Sequence, residues 1–180
     1  MQFFSKKKKS SGRVGVVINP QTLALAHLEE RGGDPWLLHC RQLPMESEQD
    51  VTKALANLVK EYELEGEQCS YVLNPADYNL HLVEAPNVEA KELRAAVRWK
   101  INDLLDMKVE DAAIDVFRVP QDAYRSRDML YVVASMKSRI KRIVDRVNDS
   151  GLKLAVIDIP ELVMQNLSNR LSMMRAESHS

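Results

Sequence analysis

Asn87–Asp106, NVEAKELRAAVRWKINDLLD, is the stretch on which the fold turns. Pro86 precedes it, Asn87 stands where a helix N-cap would, and Glu89 and Glu92 lie near the positive end of the helix dipole. Leu93, Val97, Ile101, Leu104 and Leu105 follow the i, i+4, i+8 rhythm of one buried stripe. Trp99 falls on the opposite side, so one packed face cannot bury both. The spacing predicts a helix gripped from two sides at the seam between two subdomains. The alternative is a surface helix carrying one exposed tryptophan.

On the N-terminal side of this helix, Asn79–Glu84 alternates and predicts a strand, after a break at Asn74–Asp77. On its C-terminal side come strands at Ala113–Val119 and Met129–Ser135, separated by a polar loop, Pro120–Arg127. Ser135 is placed to cap a helix whose core stripe is Met136, Ile140, Ile143, Val144 and Val147. Gly151 ends it where a left-handed residue is needed. The set predicts a three-stranded sheet backed by two helices.

Arg13–Ile18 and Thr22–Leu28 flank Asn19-Pro20-Gln21 and predict a β-hairpin, with Leu23, Leu25 and His27 on one side. Arg31–Pro35 is a turn and Trp36–Gln42 a third strand. Ser47 and Asp50 resemble a capping box before a helix with Val51, Leu55, Leu58, Val59 and Tyr62 on one face. A helix crossover lets the short strand Ser70–Leu73 pair parallel to the first. After the second group, Leu152–Ile159 predicts a buried strand. Pro160 then opens a helix with Leu162, Val163, Leu167 and Leu171 inward.

The order is βββαβ, βαββα, βα. It predicts an α/β (mixed α+β) chain with four parts. Residues 1–12 form a basic flexible tail. Residues 13–76 and 152–172 form a discontinuous subdomain, and 77–151 an inserted one. Residues 173–180 are a frayed end.

The 180 residues carry 25 basic and 26 acidic side chains, a net charge of −1. Lys6, Lys7, Lys8, Lys9 and Arg13 crowd the start, leaving 20 basic against 26 acidic side chains beyond Arg13. An acidic body argues against nucleic-acid binding. Phe3 and Phe4 beside Lys6–Lys9 favour weak contact with anionic lipid, at about 1 kcal/mol per lysine. No secretory signal or bilayer-spanning run is present, and Cys40 and Cys69 in strands fit a reducing cytoplasm.

Three strings in this arrangement carry a resemblance: SYVLNPADYNLHLVEAP (Ser70–Pro86), AAVRWKINDLLDMKVEDAAIDVF (Ala95–Phe117) and SGLKLAVIDIPELVMQNL (Ser150–Leu167). In order and spacing they resemble the PilM/MshI family of type IV pilus assembly proteins, its MSHA-type members above all. The likeness runs over roughly residues 1–172. It implies the first half of an actin-like fold related to the cell-division protein FtsA, with an RNase H-like core and an insertion used for protein contacts. It implies a cytoplasmic scaffold, peripheral to the inner membrane. Its partner would be a PilN-like membrane protein whose short cytoplasmic N-terminal peptide is received by the cleft beside the insertion. Contact with the assembly ATPase is a further implication.

ATP-binding relatives carry a pattern like G-x-D-x-G-S/T-x-S/T-x-K in the first hairpin. Here the segment reads Gly15–Ala24, GVVINPQTLA. Val17 stands in the place of the acid, Asn19 of the glycine and Ala24 of the lysine, and Pro20 removes an N–H donor. Only Thr22 matches. The degenerate loop Asn19, Pro20, Gln21, Thr22 therefore predicts no cofactor and no ATPase activity. The alternatives are an actin-like ATPase, an FtsA-like membrane-associated assembly protein, and a subunit completed by a second chain.

No other segment carries catalytic spacing. His27, His39 and His81 with Cys40 and Cys69 show neither CxxC nor HxxxH, which predicts no metal site. Asp103, Asp106, Glu110, Asp111 and Asp115 read as a solvated acidic patch. Lys137, Arg139, Lys141, Arg142 and Arg146 make one helix side basic, either as a solvated face or as a docking face for an acidic partner. Trp99, Arg139, Arg142 and Arg146 are the candidate partner contacts.

Overall fold

A computed structural model describes residues 12–45, 48–89, 91–119 and 128–177. The chain divides into two compact units: residues up to Asn74 together with those from Asp145 onward, and Pro75–Val144 between them. The second boundary falls inside a helix rather than after it, as the sequence had suggested.

In the first unit, β1 (Gly12–Asn19), β2 (Thr22–Arg31) and β3 (Asp34–Pro44) run as an antiparallel meander. After α1 (Glu48–Glu61), β4 (Gln68–Val72) lies parallel to β1, and β8 (Lys153–Asp158) lies parallel to β4. The strand order is β3-β2-β1-β4-β8. Strand alternation builds the core. Register aligns His27, Val14 and Cys69 in one row, and Leu25, Val16 and Tyr71 in the next, all buried. Val51, Leu55, Leu58 and Val59 are the buried face of α1.

Glu63, with φ 53°, ends that helix in the left-handed region. The Leu64 amide donates to Val59 O at 2.8 Å, and the Leu64 side chain is buried. Gly151, with φ 97°, makes the corresponding turn before β8.

Both edges of this sheet depart from the sequence reading. β3 carries exposed Trp36, Leu37 and Leu38, and the Arg31 guanidinium lies 5.6 Å from the Trp36 ring centroid. A bulge beside His27 leaves Leu38 without a partner on β2, since His27 faces His39 while Leu28 faces Leu37. β8 is not the buried strand expected over Leu152–Ile159. Leu152 and Ile159 flank it and are buried, whereas Val156 within it is exposed, as befits a margin paired on one side only. In α4 (Pro160–Glu177), Val163 and Leu167 are exposed rather than inward, together with Met164 at 63%. The expected inward Leu171 lies among residues whose side chains are not described.

The second unit orders its strands β5-β7-β6, all antiparallel: β5 (Asn79–Glu84), β6 (Ala112–Arg118) and β7 (Met129–Met136). Against it lies α2 (Leu93–Ile101), shorter than expected. Glu92, not Asn87, precedes its first turn, and no side chain caps it. The Val88 amide donates to Pro86 O and the Glu92 amide to Glu89 O, so this approach is made of tight turns. Beyond Ile101 the backbone tightens into a 3-10 turn, Asn102–Leu104, and then extends at Leu105.

Val97 and Ile101 join Val83, Leu130 and Val132 in the core, with Leu93 and Leu105 packed beside them. Leu104 is exposed instead. α3 (Lys137–Asp149) follows β7. Ser135 does not cap it: its hydroxyl donates to Asp77 O at 2.7 Å, and Met136 is exposed. Expectations for the tail before Gly12, the Ser47 cap, the loop 120–127 and the last three residues fall outside the described residues. Gly12 itself already belongs to β1.

Candidate functional site

The β1–β2 hairpin is where a nucleotide-binding relative would hold phosphate. Asn19 pairs with Thr22 across Pro20 and Gln21. Among the described residues Glu63 is the sole non-glycine with positive φ, so this two-residue loop uses neither conformation of the primed turns. Pro20 has no N–H. The Gln21 N–H donates to Asn19 Oδ1 at 2.9 Å, and Gln21 O accepts from the Met45 amide at 2.8 Å. The tip thus spends its backbone polarity internally. Val17 is exposed on the sheet face opposite Val16.

The Trp99 side chain is 84% exposed. This overturns the expectation of a helix gripped from two sides and leaves the surface-helix alternative. The physical reason is angular: Val97 and Ile101 point to the sheet, and Trp99 lies about 200° from each at a helical period of 3.6. Around it the basic side chains of α2 are tethered. Arg98 donates to Val109 O at 2.7 Å, and Lys100 to Glu84 O at 2.7 Å. Arg94 meets Asp115 at 2.8 Å.

The basic side of α3 is also partly committed. Lys137 donates to Glu110 O at 2.7 Å, and Arg139 meets Asp77 at 3.2 Å and Ala76 O at 3.3 Å. Arg142 is exposed and Arg146 half-buried. The structure brings Arg139 to Asp77, not to an open docking face. Asp103 lies in the 3-10 turn after α2, Asp106 in the bend that follows, Glu110 and Asp111 in a second 3-10 turn and Asp115 in β6; Asp106 accepts from Asn79 Nδ2 at 3.4 Å.

Among the described residues no group of three or more His, Cys, Asp or Glu could hold a metal. Cys40 is exposed and Cys69 buried, both as free thiols. Burial pushes the Cys69 thiol up to about 12, so it has no thiolate character at neutral pH.

One cluster was missed in the sequence. His27 stacks on His39 with ring centroids 5.7 Å apart, and His39 on Tyr62 at 4.4 Å. A regular hairpin register, continued from Leu28–Leu37, would set His27 against Leu38; the bulge moves His39 into place. Composition and spacing carry no signal for such a slip.

The five-stranded and the three-stranded sheets, each with its own helices, make up the mixed α/β fold class expected from the sequence. No family model and no curated protein matches the chain by sequence. In structure it is similar to a PilM-PilN type IV pilus biogenesis complex, with a TM-score of 0.67 and 20% identity, over 82% of this chain and 47% of that one. It is also similar to the cytoplasmic domain of EpsL, an inner membrane component of the type II secretion system of Vibrio cholerae. There the TM-score is 0.62 and the identity 17%, over 82% of this chain and 57% of that one. The chain therefore spans about half the length of each. No helix among the described residues is long and apolar enough to cross a membrane.

Proposed function

We propose that this chain is a non-enzymatic scaffold of a type IV, MSHA-like pilus assembly platform, in the PilM/MshI family. It works on the cytoplasmic side, peripheral to the inner membrane, and holds the cytoplasmic N-terminal segment of a PilN-like membrane protein. The observation that carries this reading is the β1–β2 tip, set in a fold shared with a PilM-PilN complex. Valine and alanine replace the acid and lysine, proline removes a donor, and Asn19 occupies the Gln21 amide. A hairpin so altered holds a triphosphate poorly, while the rest of the fold retains its value as a protein-binding frame.

Trp99 is the anchor of the partner contact in this reading, because a large exposed aromatic side chain suits a desolvated hot spot. Arg142 and Arg146 add charge, and Arg139 acts by fixing Asp77. The tail residues Phe3, Phe4 and Lys6–Lys9 supply a weak contact with anionic lipid, and the assembly ATPase is a second protein partner.

Fluorescence tests the partner contact. A Trp36→Phe variant leaves Trp99 as the sole tryptophan. Titration with the N-terminal peptide of the PilN-like protein should then give a saturable change that Trp99→Leu lacks when binding is followed by calorimetry. Equal binding by Trp99→Leu removes Trp99 from the site, and no binding by either variant or the parent overturns the scaffold reading. Calorimetry with ATP–Mg should show no heat. A saturable signal, with phosphate release abolished by Thr22→Ala, would establish the ATPase alternative.

A second reading, a subunit completed by another chain, is favoured by the exposed Val163, Met164 and Leu167 of α4. Light scattering distinguishes it: a dimer that Met164→Asp separates supports it, and a monomer opposes completion by a second copy.

A further inference from the structure

His27 is a buried base without hydrogen-bonding support. It is 7% exposed, and neither ring nitrogen has a partner among the described residues. On one side its ring faces His39 at 5.7 Å and 14°, and His39 continues the stack onto Tyr62. On the other side the row continues through Val14 to Cys69, whose thiol stays neutral. The charged side chains of α1 at Lys53, Lys60 and Glu61 are exposed. Burial and then His39 hold the His27 imidazole below its ordinary affinity for protons, against weaker opposing pulls from Glu67 and Glu29. A proton arriving here finds no hydrogen-bond acceptor among the described residues and faces the His39 ring.

Mechanically, this pair sits at one of the two edge seams of the five-stranded sheet. β3 is an edge strand held by β2 alone, and its ladder is broken by the bulge next to His27. The interior strands have neighbours on both sides.

We propose that the His27–His39 stack is a proton-operated latch on β3. With His27 neutral the stack closes the edge strand over the bulge. When His27 takes up a proton, its unmet hydration parts β3 from β2 around Trp36–Arg41 and leaves the other strands paired. The sign follows from linkage: the folded state binds protons less readily than the unfolded one. Stability is therefore full above the ordinary imidazole range near 6.5 and falls as pH drops through it.

Hydrogen–deuterium exchange of the whole protein at pH 5.5 and 7.5, with times scaled for intrinsic exchange, reads the latch. Peptides covering Ala26–Glu29 and Trp36–Gln42 should lose at least about tenfold in protection at the lower pH, while β1, β4 and β5–β7 peptides keep theirs. His27→Phe keeps a flat ring and cannot charge, so its β3 protection should be the same at both pH values. Should that variant fail to fold, His39→Gln replaces it, and the loss should move to lower pH. Unchanged β3 protection in the parent overturns the proposal. So does uniform loss across all strands, or the same loss in the variants.

Discussion

The five-stranded sheet is secured by rows of aliphatic side chains, with Leu55 of α1, Val16 and Leu25 almost wholly buried. The three-stranded sheet has a smaller apolar cluster and adds a different device. Arg98 and Lys137 reach out and donate to backbone carbonyls of the 3-10 turn before β6, and Lys100 to the last carbonyl of β5. A small core gives its peripheral turns little to pack on, and long cationic side chains satisfy carbonyls that no ladder reaches. On α3, Lys137 and Arg139, which the sequence offers as part of a docking face, are therefore in part fasteners. Charge on a helix surface says little about availability until its partners are seen.

Graded truncations separate the two modes, each measured as a shift in the urea unfolding midpoint. Leu55→Ala in α1 should have the largest effect, about 3 kcal/mol, because the surrounding rows cannot collapse into the gap. Val97→Ala in α2 is expected to cost about 2 kcal/mol; a loss as large as at Leu55 would erase the distinction between the cores.

Arg98→Ala tests the fastener directly. Loss of its bond to Val109 O should cost about 1 kcal/mol and raise exchange at Val109–Asp111, with little change elsewhere. No effect on that turn would show the bond to be incidental. Trp99→Ala should change stability by less than about 0.5 kcal/mol, since its side chain touches little. A larger loss would mean that Trp99 belongs to the framework rather than to a contact surface.

Strands were legible because alternation is a two-residue signal that survives short elements. Asn79–Glu84 has the same limits in sequence and structure, and the parallel return to β4 followed from the helix before it. Helix limits were less legible. Glu, Lys and Ala between Asn87 and Glu92 favour a helix locally, yet this stretch begins in tight turns. Leu105 fits a helical stripe by number, but the chain delivers it to the core by extending. Periodicity records which residues go inside, not the path that brings them there.

For the same reason periodicity points Leu104 and the α4 residues Val163 and Leu167 inward, whereas the structure leaves them exposed. The altered hairpin was readable because it depends on residue identity at consecutive positions. The histidine stack was not, because one unpaired leucine decides it.

The margin formed by β3 has a consequence for solution behaviour. Pro35 and Pro44 deny a would-be neighbouring strand two amide hydrogens, and the displaced Leu38 interrupts the spacing such a neighbour would need. A sheet finished in this way is a poor seed for runaway cross-strand stacking into fibrils, even with a tryptophan and two leucines on its rim.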